Sequence, residues 1–111
     1  MAYNRWDVVS VNFPFIEGME AKRRPALIVS ADRLRSDHGV YWIAMITTAK
    51  TGKRLHDVAI TNLARAGLHE SCVVRVARLM TVGDGQIARR VGEIMPKDRS
   101  AVSALLHLFI P

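Results

Sequence analysis

The sequence predicts a mainly β protein with short helices, built on a small, curved, barrel-like sheet and ending in a C-terminal α-helix. Three observations lead there. Short apolar runs recur along the chain, the first of them with the period of two of a half-buried strand. Turn-forming residues separate those runs. Only the final segment has helical spacing, with Val102, Leu105, Leu106 and Phe109 at i, i+3, i+4 and i+7. At 111 residues, half of them apolar, the chain is expected to form one domain over residues 1–111.

The first strand runs from Trp6 to Phe15, where Val9, Val11, Phe13 and Phe15 alternate with Ser10, Asn12 and Pro14. Pro14 has no N–H for a ladder, so this strand lies at an edge or ends there. A polar loop, Ile16 to Arg23, follows. Pro25 to Val29 and Val40 to Ile46 read as strands apolar on both faces, and Asp32 to Asp37 between them as a loop with a turn of helix closed by Gly39. Leu55 to Ile60 is a further buried strand. Thr61 or Asn62 caps a short helix through Ala66, and Gly67 stands where a left-handed stop is common. Cys72 to Leu79 and Gln86 to Val91 are the last strands, separated by the turn Gly83-Asp84-Gly85. Pro96 suits the first turn of the terminal helix, and Asp98 complements its dipole.

Sixteen Lys and Arg against ten Asp and Glu leave a net charge of +6. Nucleic acid, an acidic protein segment or, less favoured, a membrane surface are the partners such a charge attracts. The single cysteine, Cys72, excludes an internal disulfide framework and a multi-cysteine metal site, and it reads as a buried strand residue. The longest apolar run, Val40 to Ile46, is far too short to span a membrane. Met1 to Asp7 carries no apolar stretch of the secretory kind, so the cytoplasm is the expected setting. The cations cluster at 22–24, 33–35, 50–54, 75–78 and 89–90, mostly in expected loops or at strand ends. They serve either as a solvating surface or as a converged basic face. Most are arginine, whose planar fork matches phosphate. Trp6, Phe13, Phe15, Trp42 and Phe109 are expected in the core, whereas Tyr41 is open.

The segments Asp7-Val8-Val9, Phe13-Pro14-Phe15 and Lys22-Arg23-Arg24-Pro25-Ala26-Leu27-Ile28-Val29-Ser30 resemble the opening of the MazF/PemK toxins of type II toxin–antitoxin systems. Ile46-Thr47-Thr48, Leu55 to Ile60, Ala66-Gly67-Leu68, Ser71 to Arg75 and Arg89-Arg90-Val91-Gly92 continue the likeness. It implies an SH3-like barrel, a homodimer, and a metal-independent endoribonuclease (mRNA interferase) without cofactor that cuts single-stranded RNA and is neutralised by a cognate antitoxin. By motif, Arg24 takes the place of the catalytic arginine and Thr47 that of the catalytic threonine. Arg75 matches a further functional arginine. The chain departs from the pattern at Ala77, where such members carry an acidic residue.

In that chemistry a 2′-hydroxyl attacks phosphorus, and charge grows on the phosphate oxygens. A guanidinium at Arg24 binds two of those oxygens, and the Thr47 hydroxyl donates to the same group. Arginine is a poor free base, so Glu20 is the residue expected to assist proton removal. Arg23, Thr48, Lys50, Lys53, Arg54, Arg75 and Arg78 are expected to hold RNA. His38, His56, His69 and His107 are expected in surface or packing roles, and no metal site is expected. Two other functions fit the same barrel: a non-enzymatic poison of DNA gyrase, and an inactive nucleic-acid-binding module. The Arg24-Pro25 motif and the closing Leu108-Phe109-Ile110-Pro111 favour the nuclease.

Overall fold

Six antiparallel strands and three helices make up the structure, a computed structural model that describes residues 2–13 and 22–111. In chain order these are β1 (Asp7–Phe13), β2 (Lys22–Ile28), α1 (Asp32–His38), β3 (Val40–Thr48), β4 (Asp57–Ala59), α2 (Leu63–Ala66), β5 (Cys72–Gly83), β6 (Ile87–Glu93) and α3 (Pro96–Phe109). The strands lie in the order β4-β5-β3-β2-β1-β6. The expected mainly β architecture with a C-terminal helix is therefore present, but the ladder does not close: β4 and β6 are its edges.

Alternation along the strands feeds two cores, one on each face. Val9, Val11, Phe13, Ala26, Ile28, Tyr41, Ile43, Val82 and Ile87 fill one. Val8, Leu27, Ala44, Ile46, Val74, Val76, Ile94 and Val102 belong to the other, which α2 and α3 cover. Tyr41 is buried, and its hydroxyl accepts from the Tyr3 N–H at 3.0 Å. Phe13 is buried as expected. Trp42 and Phe109 are not: they are 46% and 41% exposed. Trp42 shares a face with Ala44 and Ile46 but lies beyond the part that α3 covers. Phe109 instead meets the His56 ring edge-on, with centroids 5.1 Å apart.

Several boundaries differ from the sequence reading. The strand expected at Pro25 already begins at Lys22, since Lys22 and Arg23 pair with Phe13 and Asn12 of β1. Trp6 precedes β1 and has a positive φ of 78°. The strand expected over Leu55 to Ile60 is only Asp57–Ala59. β5 runs on to Gly83, and the expected glycine turn is a 3₁₀ turn over Asp84–Gln86. At α2 the two open capping choices resolve into separate tasks. The Asn62 Oδ1 accepts from the Arg65 N–H at 3.0 Å, so Asn62 is the cap. Thr61 donates its N–H and its hydroxyl to the buried Asp98 carboxylate at 3.0 and 2.9 Å, tying α2 to the start of α3. Gly67 ends α2 in the left-handed region, as expected.

Candidate functional site

The site forms where the start of β2 and the end of β3 lie side by side, with β5 on the other edge of β3. Ala26 pairs with Met45, so the same register carries Arg24 and Thr47 towards each other two residues further along each strand. Successive strand side chains point to opposite faces. Arg24, Met45 and Thr47 therefore share one face, and Arg23 is on the other.

A rupture in the β3–β5 ladder brings the remaining cations in. Ala44 pairs with Leu79 but the next residue, Met45, pairs with Arg75. Val76, Ala77 and Arg78 thus bulge from β5 at the step between Ala44 and Met45. A bulge bends its strand and re-aims its side chains. Here it sets Arg75 and Arg78 beside the same hollow.

Two adjoining hollows result, of about 210 and 200 Å³. The first is lined by Arg24, Pro25, Ile46, Thr47, Thr48 and Cys72. The second is lined by Arg24, Met45, Ile46, Thr47, Arg54, Arg75 and Arg78. Arg24 and Thr47 border both. Among the described residues no carboxylate pairs with the Arg24 or Arg78 guanidinium. The second hollow thus gathers four guanidinium groups, and among the described residues one acid, Asp57, is engaged on one of them.

Arg24, Thr47, Thr48, Arg54, Arg75 and Arg78 are thus brought together. Other sequence-named residues are not. Arg23 donates from Nε to the Asn12 Oδ1 at 3.3 Å on the opposite face. Lys50 sits 3.3 Å from a Glu70 carboxylate oxygen, with both groups exposed. Lys53 is exposed and lines neither hollow. Glu20 lies outside the described residues. Ala77 is exposed in the bulge and offers no carboxylate. Cys72 is buried, and burial, with Glu70 nearby, pushes its thiol up from the ordinary value, which disfavours the thiolate.

The residue that sequence reasoning passed over is Asp57, whose side chain is only 1% exposed. Its oxygens accept from Arg75 Nε at 3.2 Å and Nη2 at 3.0 Å, and from the Arg54 N–H at 2.8 Å. An acidic residue inside a short apolar strand was the available signal, because buried acids need partners. Burial raises the Asp57 carboxyl, but the Arg75 and Arg54 hydrogen bonds and charges outweigh it and hold the group below the usual carboxylate value. A carboxyl lowered by folding stabilises the protein above its unfolded pKa of about 3.9, and that stability is lost as pH falls through the lower folded value. Melting temperature should therefore drop below about pH 4, and less steeply in Asp57→Asn than in the parent; a pH titration of thermal unfolding checks this. Glu93 is also lowered, chiefly by the Arg65 hydrogen bond, and supplies a common background in both proteins.

Paired hydroxyls and guanidinium groups without a carboxylate partner among the described residues line concave surface on a curled antiparallel sheet, a donor set chemically suited to an anion. Residues 4–110 match the family of PemK-like, MazF-like toxins of type II toxin–antitoxin systems, and the chain belongs to that family. No curated protein matches it. An endoribonuclease from a mycobacterial species, solved in complex with its cognate antitoxin, is similar in fold, with a TM-score of 0.77 at 19% identity over 99% of this chain and 98% of that one. MazF from Deinococcus radiodurans gives 0.77 at 20% identity over 99% and 97%. The Mycobacterium tuberculosis toxin MazF-mt6 gives 0.72 at 20% over 92% and 93%.

Proposed function

We propose that this toxin is an endoribonuclease that cuts single-stranded RNA without a metal, in the cytoplasm. The observation that carries the reading is the placement of Arg24 and Thr47 on the shared wall of two hollows, one of them ringed by Arg54, Arg75 and Arg78. A phosphodiester seated on that wall has a bidentate cation and a hydroxyl donor at its non-bridging oxygens. The adjoining arginines hold flanking phosphates. Thr48 faces the nucleotide in the first hollow, while Lys50 and Lys53 meet the strand further out.

The substrate 2′-oxygen forms a bond to phosphorus and loses its proton. The bond from phosphorus to the 5′-oxygen breaks, and that oxygen gains a proton. The products are a 2′,3′-cyclic phosphate and a 5′-hydroxyl, so charge and atoms balance without a further reactant. Fixed guanidinium and hydroxyl donors strengthen their hold as the equatorial oxygens gain charge, which lowers the barrier.

A single-stranded RNA incubated with the purified protein in EDTA should yield those ends, and the same sequence in a duplex should resist. A-form geometry hides base edges and holds the 2′-oxygen out of line with the leaving group. An intact single strand after incubation overturns the reading. A gyrase poison would leave it intact and still arrest growth.

The toxin also acts as a homodimer and is held by an antitoxin. The support for the dimer is the exposed apolar face made by Trp42, Leu79 and Ile110, beside a hollow of about 320 Å³ that runs to Leu106 and His107 at the end of α3. Faces of this kind mark interaction surfaces. Trp42→Glu should convert a dimer to a monomer in sedimentation, with the fold retained. Endoribonuclease and MazF relatives solved with their antitoxins support the second partner. A basic groove suits an acidic, partly apolar segment that folds as it binds.

A further inference from the structure

We infer that Asp57 is a positioning residue of this site: one buried carboxylate sets the Arg75 guanidinium and the turn bearing Arg54 against the same hollow. The inference rests on the ribonuclease reading for the substrate, and on the geometry below for the role.

β4 is three residues long and, among the described residues, pairs only with β5, with Asp57 directly opposite Arg75. The two Asp57 oxygens take the Nε and Nη2 edge of Arg75, which fixes the plane of the guanidinium. Of five N–H donors on an arginine, three stay available for the hollow. The same carboxylate accepts the Arg54 N–H, while the Asp57 N–H returns a bond to the Arg54 carbonyl at 3.0 Å, closing a tight turn. His56, inside that turn, is held at a φ of 68°, a conformation rare for a residue with a side chain. Strain of this kind persists only where its surroundings enforce it.

Stability is a poor explanation for the arrangement. A buried ion pair is costly to desolvate, and well-packed apolar residues of similar volume often do as well. Its product is orientation, since Arg54 and Arg75 both line the second hollow. Nor does the carboxylate move a proton: both oxygens are occupied and the group is out of solvent.

The test compares Asp57→Asn, Arg75→Ala, their double variant and Arg75→Lys. Two readouts are followed: the rate of cutting single-stranded RNA, and affinity for the same strand blocked by 2′-O-methyl groups, which cannot be cut. Asp57→Asn should lose about 10²-fold in kcat/KM, the scale of a displaced binding group. Arg75→Ala should lose a similar factor, and the double variant no more than Arg75→Ala: Asp57→Asn keeps an oxygen that accepts the Arg54 N–H, so this substitution acts through Arg75 and has no separate effect once Arg75 is gone. Arg75→Lys keeps a cation against Asp57 but not the two-point hold, and should fall between. The pH–rate profile of Asp57→Asn should keep the parent's shape.

Losses that multiply in the double variant, or an Asp57→Asn protein that cuts and binds like the parent, overturn the inference. So does the disappearance of one limb of the pH profile, which would make Asp57 a proton carrier. Should Asp57→Asn fail to fold, Arg75→Lys decides: weakened binding at an unchanged melting temperature supports the role, and parental binding refutes it. A parent that binds the blocked strand but does not cut the free one sinks the ribonuclease reading alone, and the binding cycle still judges Asp57. A parent that does neither overturns both.

Discussion

Arg24→Ala should give a folded protein that no longer cuts RNA. Arg24 is exposed at the start of β2, pairs through its backbone with Val11, and supports no part of either core. Truncating it removes no buried surface, so the melting temperature should stay within a few degrees of the parent, about the scatter of surface substitutions. The cleavage rate should fall by about 10²–10³ or more, the usual loss when one preorganised donor to a developing oxyanion is removed. Arg24→Lys separates charge from shape. It restores the cation but not the planar fork, so it should recover only part of the rate. Thr47→Val, which removes a single hydroxyl donor from the same wall, should lose less than Arg24→Ala. Single-turnover cleavage alongside circular-dichroism melting measures all three. An Arg24→Ala protein that cuts like the parent places the chemistry elsewhere on the molecule.

Gly67→Ala should destabilise the fold by about 3 kcal/mol or more, among the larger effects expected of one added methyl group. Gly67 ends α2 with φ of 74°, a conformation that costs an alanine about 1–2 kcal/mol. A Cβ there would also collide with the Val91 backbone of β6. Gly92 presents the converse, since its Cβ would strike the backbone of Arg65 and Ala66. The helix and the edge strand thus approach through two glycines. Gly39→Ala is the internal control. Its φ is 69°, but among the described residues nothing lies within 4 Å of the added Cβ, so only the backbone cost of about 1–2 kcal/mol remains. At about 4–8 °C per kcal/mol for a domain of this size, thermal melting separates the two easily. Equal losses at Gly67 and Gly39 would mean that α2 moves off β6 without penalty.

Both predictions concern residues whose importance was unequally visible beforehand. The Arg24-Pro25 and Thr47-Thr48 pairs stand out in the chain through their resemblance to the family, and the structure brings them to one wall. Gly67 was readable as a helix stop, because a left-handed conformation is a local property. That Val91 would press against it was not, for the two positions meet only when β6 closes over α2. Asp57 was passed over for a similar reason: a carboxylate in a short strand looks solvated until its partner strand is known.

Local chemistry and periodicity, acting over a few residues, were enough to place the strands, though not all their limits, the helix stop at Gly67, the terminal helix and the excess of positive charge, because each depends on neighbours a turn or a strand apart. The tertiary structure alone decided where β5 breaks its register, which arginines converge, that Lys50 faces Glu70 and Lys53 stands away from the hollows, and that Trp42 is left outside. Those outcomes depend on how distant strands align, and a slip of a single position exchanges the two faces of a strand. No local rule within the chain carries that information.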